Sequence, residues 1–444
     1  MLPACRTEDE GFAIPQLDLT ASDVAGFLDE LQEFQEVFSD CFARQETREH
    51  FLRYLLGQFS TLERKSIEPM ALKVEGGKVR AMQRLISDVV WDEEHMRWTY
   101  HHLVKDALGD AQGVVMFDET GFPKKGKASV GVARQYCGAL GKVDNCQVGV
   151  FAAYASCHGY ALLDKRLFVP EVWFSDTHET RRTMCEVPQE VAFRTKPQLA
   201  GEMLTTLRDE AIVPFKYVVA DCLYGNSPAF LEAVERYVGL TYFVAVPADT
   251  RCWLQGPVVK DKHYQYKGET RTKRQVGAPD KPPLAIAAIA QRIPGCCWYR
   301  RTVSEGTKGP IVYEFTKRRV TLCREGLPDR VVWLVLKRTL GEEKSYWYYI
   351  SNAPLSSRLP LFVWLSGVRW AVEQCFEEAK TELGMDHYEM RKYSGWHHHM
   401  LTCMLAHFFL WHLKIRLGKK SPRAYHLPAA EGVGSSLTPA PLSS

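Results

Sequence analysis

Across 444 residues, 46% hydrophobic and 25% charged with a net charge of +3, the chain has the balance of an ordinary globular protein, long enough for two or three domains. The longest apolar stretch near the C-terminus, 400–413, is interrupted by His407 and His412 and is too short to span a bilayer, and the start MLPACRTEDEGF lacks the basic and apolar regions of a secretory signal. A cytoplasmic protein without a membrane partner is therefore expected, and thirteen cysteines, an odd number with no C-x-x-C pair, argue against a zinc ribbon and against a disulfide framework.

Residues 1–108 read as a helical N-terminal domain. Phe27, Leu28, Leu31, Phe34 and Val37 recur at helical spacing, 51–59 and 80–90 repeat the pattern, and Gly76-Gly77 breaks two helices. The texture changes at Gly113. GVVMFDET is a short β-forming run, followed by the turn GFPKKGK and strand-like runs over 130–136, 147–156 and 160–168. A helix over 198–210, a buried strand YVVAD over 217–221, a helix over 227–236 and a strand over 241–246 follow. Strands first in a run, then alternating with helices, predict an α/β fold with a mixed sheet over 109–249.

Residues 250–350 read as an inserted β-rich subdomain, with strands over 311–315, 331–336 and 347–350. Charge is uneven here. Residues 251–340 carry 19 basic and 7 acidic side chains, whereas 1–60 carry 4 basic and 12 acidic. A basic block with Tyr264, Tyr266, Trp298 and Tyr299 interleaved suits a phosphate backbone with bases to stack on, the alternative being a solvated face. From 351 to 418 the core resumes, with one helix over 360–383 capped at Gly384, and more helix over 388–413. The tail over 419–444, rich in Ala, Pro, Ser and Gly, is expected to be disordered.

Two acids end buried apolar runs: Asp118 after GVVMF and Asp221 after YVVA. Carboxylates at strand ends face the crevice where open α/β sheets bind ligands, although a lone strand-end Asp also serves as a helix or turn cap. Two that converge repel unless a cation lies between them, and hard oxygen ligands suit Mg²⁺ or Mn²⁺. Farther on, Arg369, Glu373 and Lys380 are spaced i, i+4 and i+11, within roughly 40° of one another around a helix. A surface ion-pair face has this spacing too, but Phe376 shares the face and the helix is otherwise apolar. An acid flanked by two cations fits a site meeting both metal and phosphate.

Three other readings compete. Gly121-x-x-x-x-Gly126-Lys127 is close to a phosphate-binding Walker loop, but Ala128 stands where Ser or Thr must bind Mg²⁺, and a strand follows where a helix is required. A glycosidase with paired acids is disfavoured by the basic block. His397-His398-His399 invites a zinc assignment. Consecutive helical residues point in different directions, so a solvated or DNA-facing cluster is expected instead.

At these residues the chain resembles a DDE transposase of the bacterial insertion sequences, with a ribonuclease-H-like catalytic domain. Arg369, Glu373 and Lys380 match the spacing of the insertion-sequence-4 type signature, with Ser366 where that signature has Tyr. FDETGFPKKGKASVGVARQYCGALGKVDNCQVGVF and ADCLYGN resemble the 701 group of these elements. The resemblance implies a catalytic and metal-binding triad of Asp118, Asp221 and Glu373 holding two Mg²⁺ or Mn²⁺ ions. Such an ion pair, ~3.5–4 Å apart, clamps the attacking and leaving oxygens of a phosphodiester displacement. Terminal inverted repeats and target DNA are the implied partners, with a homodimer on DNA at the nucleoid. Arg369, Lys380, Lys124, Lys125, Lys127, Lys273 and Arg274 are expected to contact DNA. Trp298 is a candidate to stack on a base, with core packing as its alternative. A transposase relic acting as a catalytically inactive DNA-binding protein is the alternative function.

Overall fold

The computed structural model describes residues 21–267, 269–277, 282–306 and 309–417. The expected tail lies outside these residues. Five helices come first, Ala21–Glu36, Gln45–Gln58, Ile67–Lys73, Val79–Ser87 and Glu93–Leu108, as the apolar spacing predicts. The last of them is capped by Asp92, whose carboxylate accepts from the His95 N–H.

Six strands then build the heart of the sheet: β1 (Val114–Pro123), β2 (Ala133–Cys137), β3 (Lys142–Ser156), β4 (Gly159–Phe168), β5 (Tyr217–Ala220) and β6 (Thr241–Ala245). β3 runs antiparallel to β1, and its far edge carries first β2 and then β4. On the other side of β1, β5 and then β6 run parallel to it. Such parallel strands are covered on both faces and read as continuous apolar runs; all four residues of β5 are buried. The crossover into β5 uses the helix Lys196–Glu210, whose Thr195 and Gln198 form a reciprocal capping box. A large mixed sheet flanked by helices is the α/β architecture expected from the sequence.

The region 250–350, expected to be a β-rich insertion, extends the same sheet. It supplies β7 (Arg251–Trp253), β8 (Val259–Tyr266), β9 (Glu269–Val276), β10 (Leu284–Ala285), β11 (Tyr299–Gly306), β12 (Gly309–Arg324), β13 (Leu327–Arg338) and β14 (Tyr346–Ser351). β14 pairs with the outer edge of β6, and β13, β12, β7 and β10 continue outward, so that one 12-stranded sheet spans both regions. The physical reason is the open edge of β6, whose unpaired backbone groups are satisfied by β14. The hairpin β8–β9 forms its own two-stranded sheet.

The C-terminal helix Tyr393–Leu417 is apolar around most of its circumference, the pattern of a helix buried on all sides. Its Phe408 and Phe409 meet Phe34 of the first helix, and its Trp396 meets Phe151 of β3. N-terminal helices, sheet and C-terminal helices therefore share one continuous core.

That helix also overturns the expected solvated histidine cluster. His397, His398 and His399 are 8%, 3% and 1% exposed. The three rings do point in different directions, but each finds its own buried partner. His397 Nδ1 meets Lys165 Nζ at 3.0 Å. His398 Nδ1 donates to the Ile86 carbonyl at 2.7 Å, with its ring stacked on Trp91, and His399 Nδ1 meets the Tyr54 hydroxyl at 2.8 Å. Burial pushes all three imidazoles below their usual range, so they are held neutral.

Candidate active site

β1 and β5 pair from Val114↔Tyr217 to Phe117↔Ala220 and then part. Asp118 and Asp221 are the next residue on each strand, at the mouth of that fork. The Asp118 Oδ1 accepts from the Glu119 N–H at 2.8 Å. Asp221 caps the short helix Cys222–Gly225, accepting from the Leu223 N–H at 2.8 Å. The cap and the site carboxylate are thus the same residue. Gly225 is required here: a Cβ at this position would lie 1.9 Å from the Ala245 carbonyl, so the helix rests directly on β6.

A third acid joins the pair. Carboxylate oxygens of Asp118, Glu119 and Asp221 all lie within 4.8 Å of one another. Glu119 is held by Lys196 Nζ at 3.0 Å and by the buried Tyr224 hydroxyl at 2.8 Å. Tyr224 belongs to the Asp221-capped helix, so this hydrogen bond ties β1 to the element that presents Asp221. Sequence reasoning passed over Glu119, because alternation along a strand assigns neighbouring residues to opposite faces. Here the Glu119 carboxylate is drawn to the pair by Lys196 and the Tyr224 hydroxyl. The only sequence signal was the doubled acid in FDET.

Electrostatics match the crowding. Burial, then the negative charges of Asp221 and Glu119, push the Asp118 carboxyl up to about 7, against the opposing pull of Arg369. Burial and Glu119 raise Asp221 as well, while the Leu223 and Tyr224 N–H groups and Arg369 pull it back. Carboxylates brought together at this cost are the donor set of a hard divalent cation, and the three acids fit one.

Glu373 sits outside that cluster. The predicted single helix over 360–383 is two, Leu359–Val368 and Trp370–Leu383, joined at Arg369. Arg369 Nη2 donates to Glu373 Oε1 at 2.5 Å while Nη1 lies 3.7 Å from Asp118 Oδ2. A guanidinium therefore stands between Glu373, whose side chain is 49% exposed, and the aspartates. Lys380, two turns farther along, donates to Thr120 Oγ1 at 2.7 Å and lies over the Phe122 ring. Thr120 and Phe122 follow Asp118 at steps of two on β1, so this face of the helix is anchored along the strand that carries the first aspartate. Gly384 ends the helix at φ +68°, as its position suggests.

The other expected DNA contacts divide. Lys125 and Lys127 are exposed on the β1–β2 turn, and Lys273 and Arg274 are exposed on β9. Lys124 is turned inward: its ammonium donates to the Tyr388 carbonyl at 2.9 Å, lies 3.3 Å from the centre of that ring, and is lowered to about 8 by burial. Trp298 is corrected to its alternative role. It is 6% exposed, covered by the Arg338 guanidinium at 4.0 Å, with its indole N–H directed at the Ile293 carbonyl. Its apolar bulk is what closes the core beneath β11 and β14.

A family model described as DDE superfamily endonuclease matches residues 37–310, which include Asp118, Glu119 and Asp221. The chain is 24% identical over 366 residues to a probable transposase for insertion sequence element IS701 from Microchaete diplosiphon, covering 82% of each. Among solved structures it is similar to the piggyBac transposase in a synaptic complex with hairpin DNA, at 11% identity and a TM-score of 0.37, over 94% of this chain and 71% of that one.

Proposed function

The chain belongs to the DDE superfamily of endonucleases, and from that premise we propose that it is a transposase that cleaves DNA at the ends of its own element and joins those ends to target DNA. The observation that carries this reading is the meeting of Asp118 and Asp221 at the fork between β1 and β5.

Asp118 and Asp221 would hold divalent metal, Mg²⁺ or Mn²⁺, with Glu373 as the third ligand by resemblance and Glu119 as the acid already beside them. Bound in pairs, such ions lower the pKa of an attacking water and neutralise charge on the leaving oxygen. The protein's own contribution is placement. Water attacks the phosphodiester at the element's end and releases a 3′-hydroxyl; that hydroxyl then attacks a target phosphodiester, each displacement breaking one P–O bond as one forms. Arg369 is suited to hold Glu373 and Asp118 apart before metal arrives, and afterwards to bind a phosphate oxygen. Lys380 braces the helix against β1. Lys125, Lys127, Lys273 and Arg274 are free to meet the DNA backbone, and a homodimer would bring two ends together.

The test is Mg²⁺-dependent cleavage of DNA carrying the element's terminal repeats. Asp118→Ala, Asp221→Ala and Glu373→Gln are expected to abolish cleavage while end binding persists, and Glu119→Gln to raise the Mg²⁺ concentration needed for half-maximal cleavage by roughly tenfold. Wild-type cleavage by any of the first three variants would remove that residue from the machinery. End binding with no cleavage by the wild-type chain would favour a non-catalytic DNA-binding protein.

A further inference from the structure

The sheet has a second cluster of metal-ligating groups, beside the start of β1 and away from Asp118. β3 and β4 are joined by a two-residue turn, Cys157-His158, between the paired Ser156 and Gly159. Two-residue hairpin turns ordinarily use Gly, Asn or Asp. This one carries a thiol and an imidazole. Facing them is Asp110, in the connection between the helix Glu93–Leu108 and β1. One ligand atom from each of Asp110, Cys157 and His158 lies within 4.8 Å of the other two.

The cluster is pre-organised from below. Asp110 Oδ1 accepts from the Gln112 N–H at 2.7 Å, which aims Oδ2 at the turn. The Cys157 thiol donates to that Oδ2 at 3.1 Å. The Tyr154 hydroxyl accepts from the Asp110 N–H and reaches the Asp110 and Pro214 carbonyls, pinning the connection to β3. Gly113 allows that close approach, since a Cβ there would lie 2.3 Å from the Tyr154 hydroxyl oxygen. On the turn, the His158 N–H donates to Ser156 Oγ, which fixes the backbone that carries the imidazole.

We propose that Asp110, Cys157 and His158 form a zinc site that staples the start of β1 to the β3–β4 turn. One sulfur, one nitrogen and one oxygen donor are the ligand types of a tetrahedral zinc centre, with water in the fourth position. A thiolate selects this borderline-soft ion over Mg²⁺, so the site and the carboxylate fork would sort two metals by chemistry. On binding, the Cys157 thiol loses its proton to solvent and its sulfur takes up zinc in place of the S–H···O bond to Asp110.

The test uses the full-length protein, purified metal-free and given Zn²⁺ in the presence of excess Mg²⁺. One Zn²⁺ per chain is expected by competition with a chromophoric chelator, with Zn²⁺ protecting Cys157 from alkylation as read by peptide mass spectrometry. Co²⁺ in its place should give a thiolate-to-cobalt charge-transfer band. Binding and band are expected to be lost in Cys157→Ser, and binding, protection and band in His158→Ala, each checked for folding by circular dichroism, and all three kept in Asp221→Asn. Should either turn variant misfold, protection of Cys157 in the wild-type chain still decides the matter. Unchanged stoichiometry in a folded Cys157→Ser, or no protection of Cys157, overturns the site.

Discussion

At the scale of single residues, the acids at the fork are held in a state that costs the metal-free protein stability. The sign follows from Asp118. Its folded carboxyl titrates near 7 because of burial and its acidic neighbours, against an ordinary value of 3.8. Between those values the folded state keeps a proton that the unfolded chain has lost. Stability therefore falls as pH rises from about 4 to about 7, and the full penalty, on the order of a few kcal/mol, persists above that. Asp118→Asn is expected to remove the penalty. In chelator, the variant should resist urea more than wild type at pH 8 and about equally at pH 4. Parallel stability curves for the two proteins would show that the crowding has no energetic consequence. Mg²⁺ should narrow the gap by stabilising wild type, since a cation satisfies the charges that the proton otherwise neutralises.

Elements position these residues through close backbone contacts. The helix Cys222–Gly225 is four residues long and too short to stand alone, so its placement depends on Asp221 at its start and on Gly225 against β6. Gly225→Ala is expected to displace the helix, lower the melting temperature by several degrees and abolish cleavage together, because the Cβ meets backbone that cannot rotate away. A variant with wild-type melting and cleavage would mean that β6 yields. The hairpin β8–β9 plays the opposite part: it stands outside the main sheet with its side chains exposed. Replacing Lys273 and Arg274 by Gln is expected to reduce the slope of log affinity against log salt by about 2, one unit for each phosphate no longer neutralised. An unchanged slope would assign DNA backbone contact to other cations.

For the whole molecule, the C-terminal helix is the keel onto which both the N-terminal helices and the sheet are fitted. Its histidines bridge these layers: His398 to Ile86 and Trp91, His399 to Tyr54, and His397 to Lys165 of β4, whose ammonium also pairs with Glu93 at 2.9 Å. Tyr54→Phe leaves the ring in place and deprives the buried His399 of a partner, so a loss of about 1–2 kcal/mol is expected from chemical denaturation. No loss would mean that the hydroxyl bond is dispensable and packing alone docks the layers.

Local pattern was enough for several features. Apolar runs before Asp118 and Asp221 marked β1 and β5, because a strand covered on both faces must be apolar there; Asp221 follows the end of β5, whereas β1 continues past Asp118 to Pro123. The stop at Gly384 was equally legible, since a left-handed cap favours glycine. Relations across the chain were not. Glu119 entered the site because Lys196 and Tyr224 hold it there; Lys124 and Trp298 turned inward because Tyr388 and Arg338 lie over them; Arg369 came between Glu373 and Asp118 because the helix that carries it packs along β1. Sequence determined which segments form strands and helices and which acids follow their apolar runs, through periodicity and short-range sterics. Which side chains share a point in space, and which apolar faces close on one another, was decided by the tertiary structure alone, because burial and charge depend on neighbours that the chain brings together only when it folds.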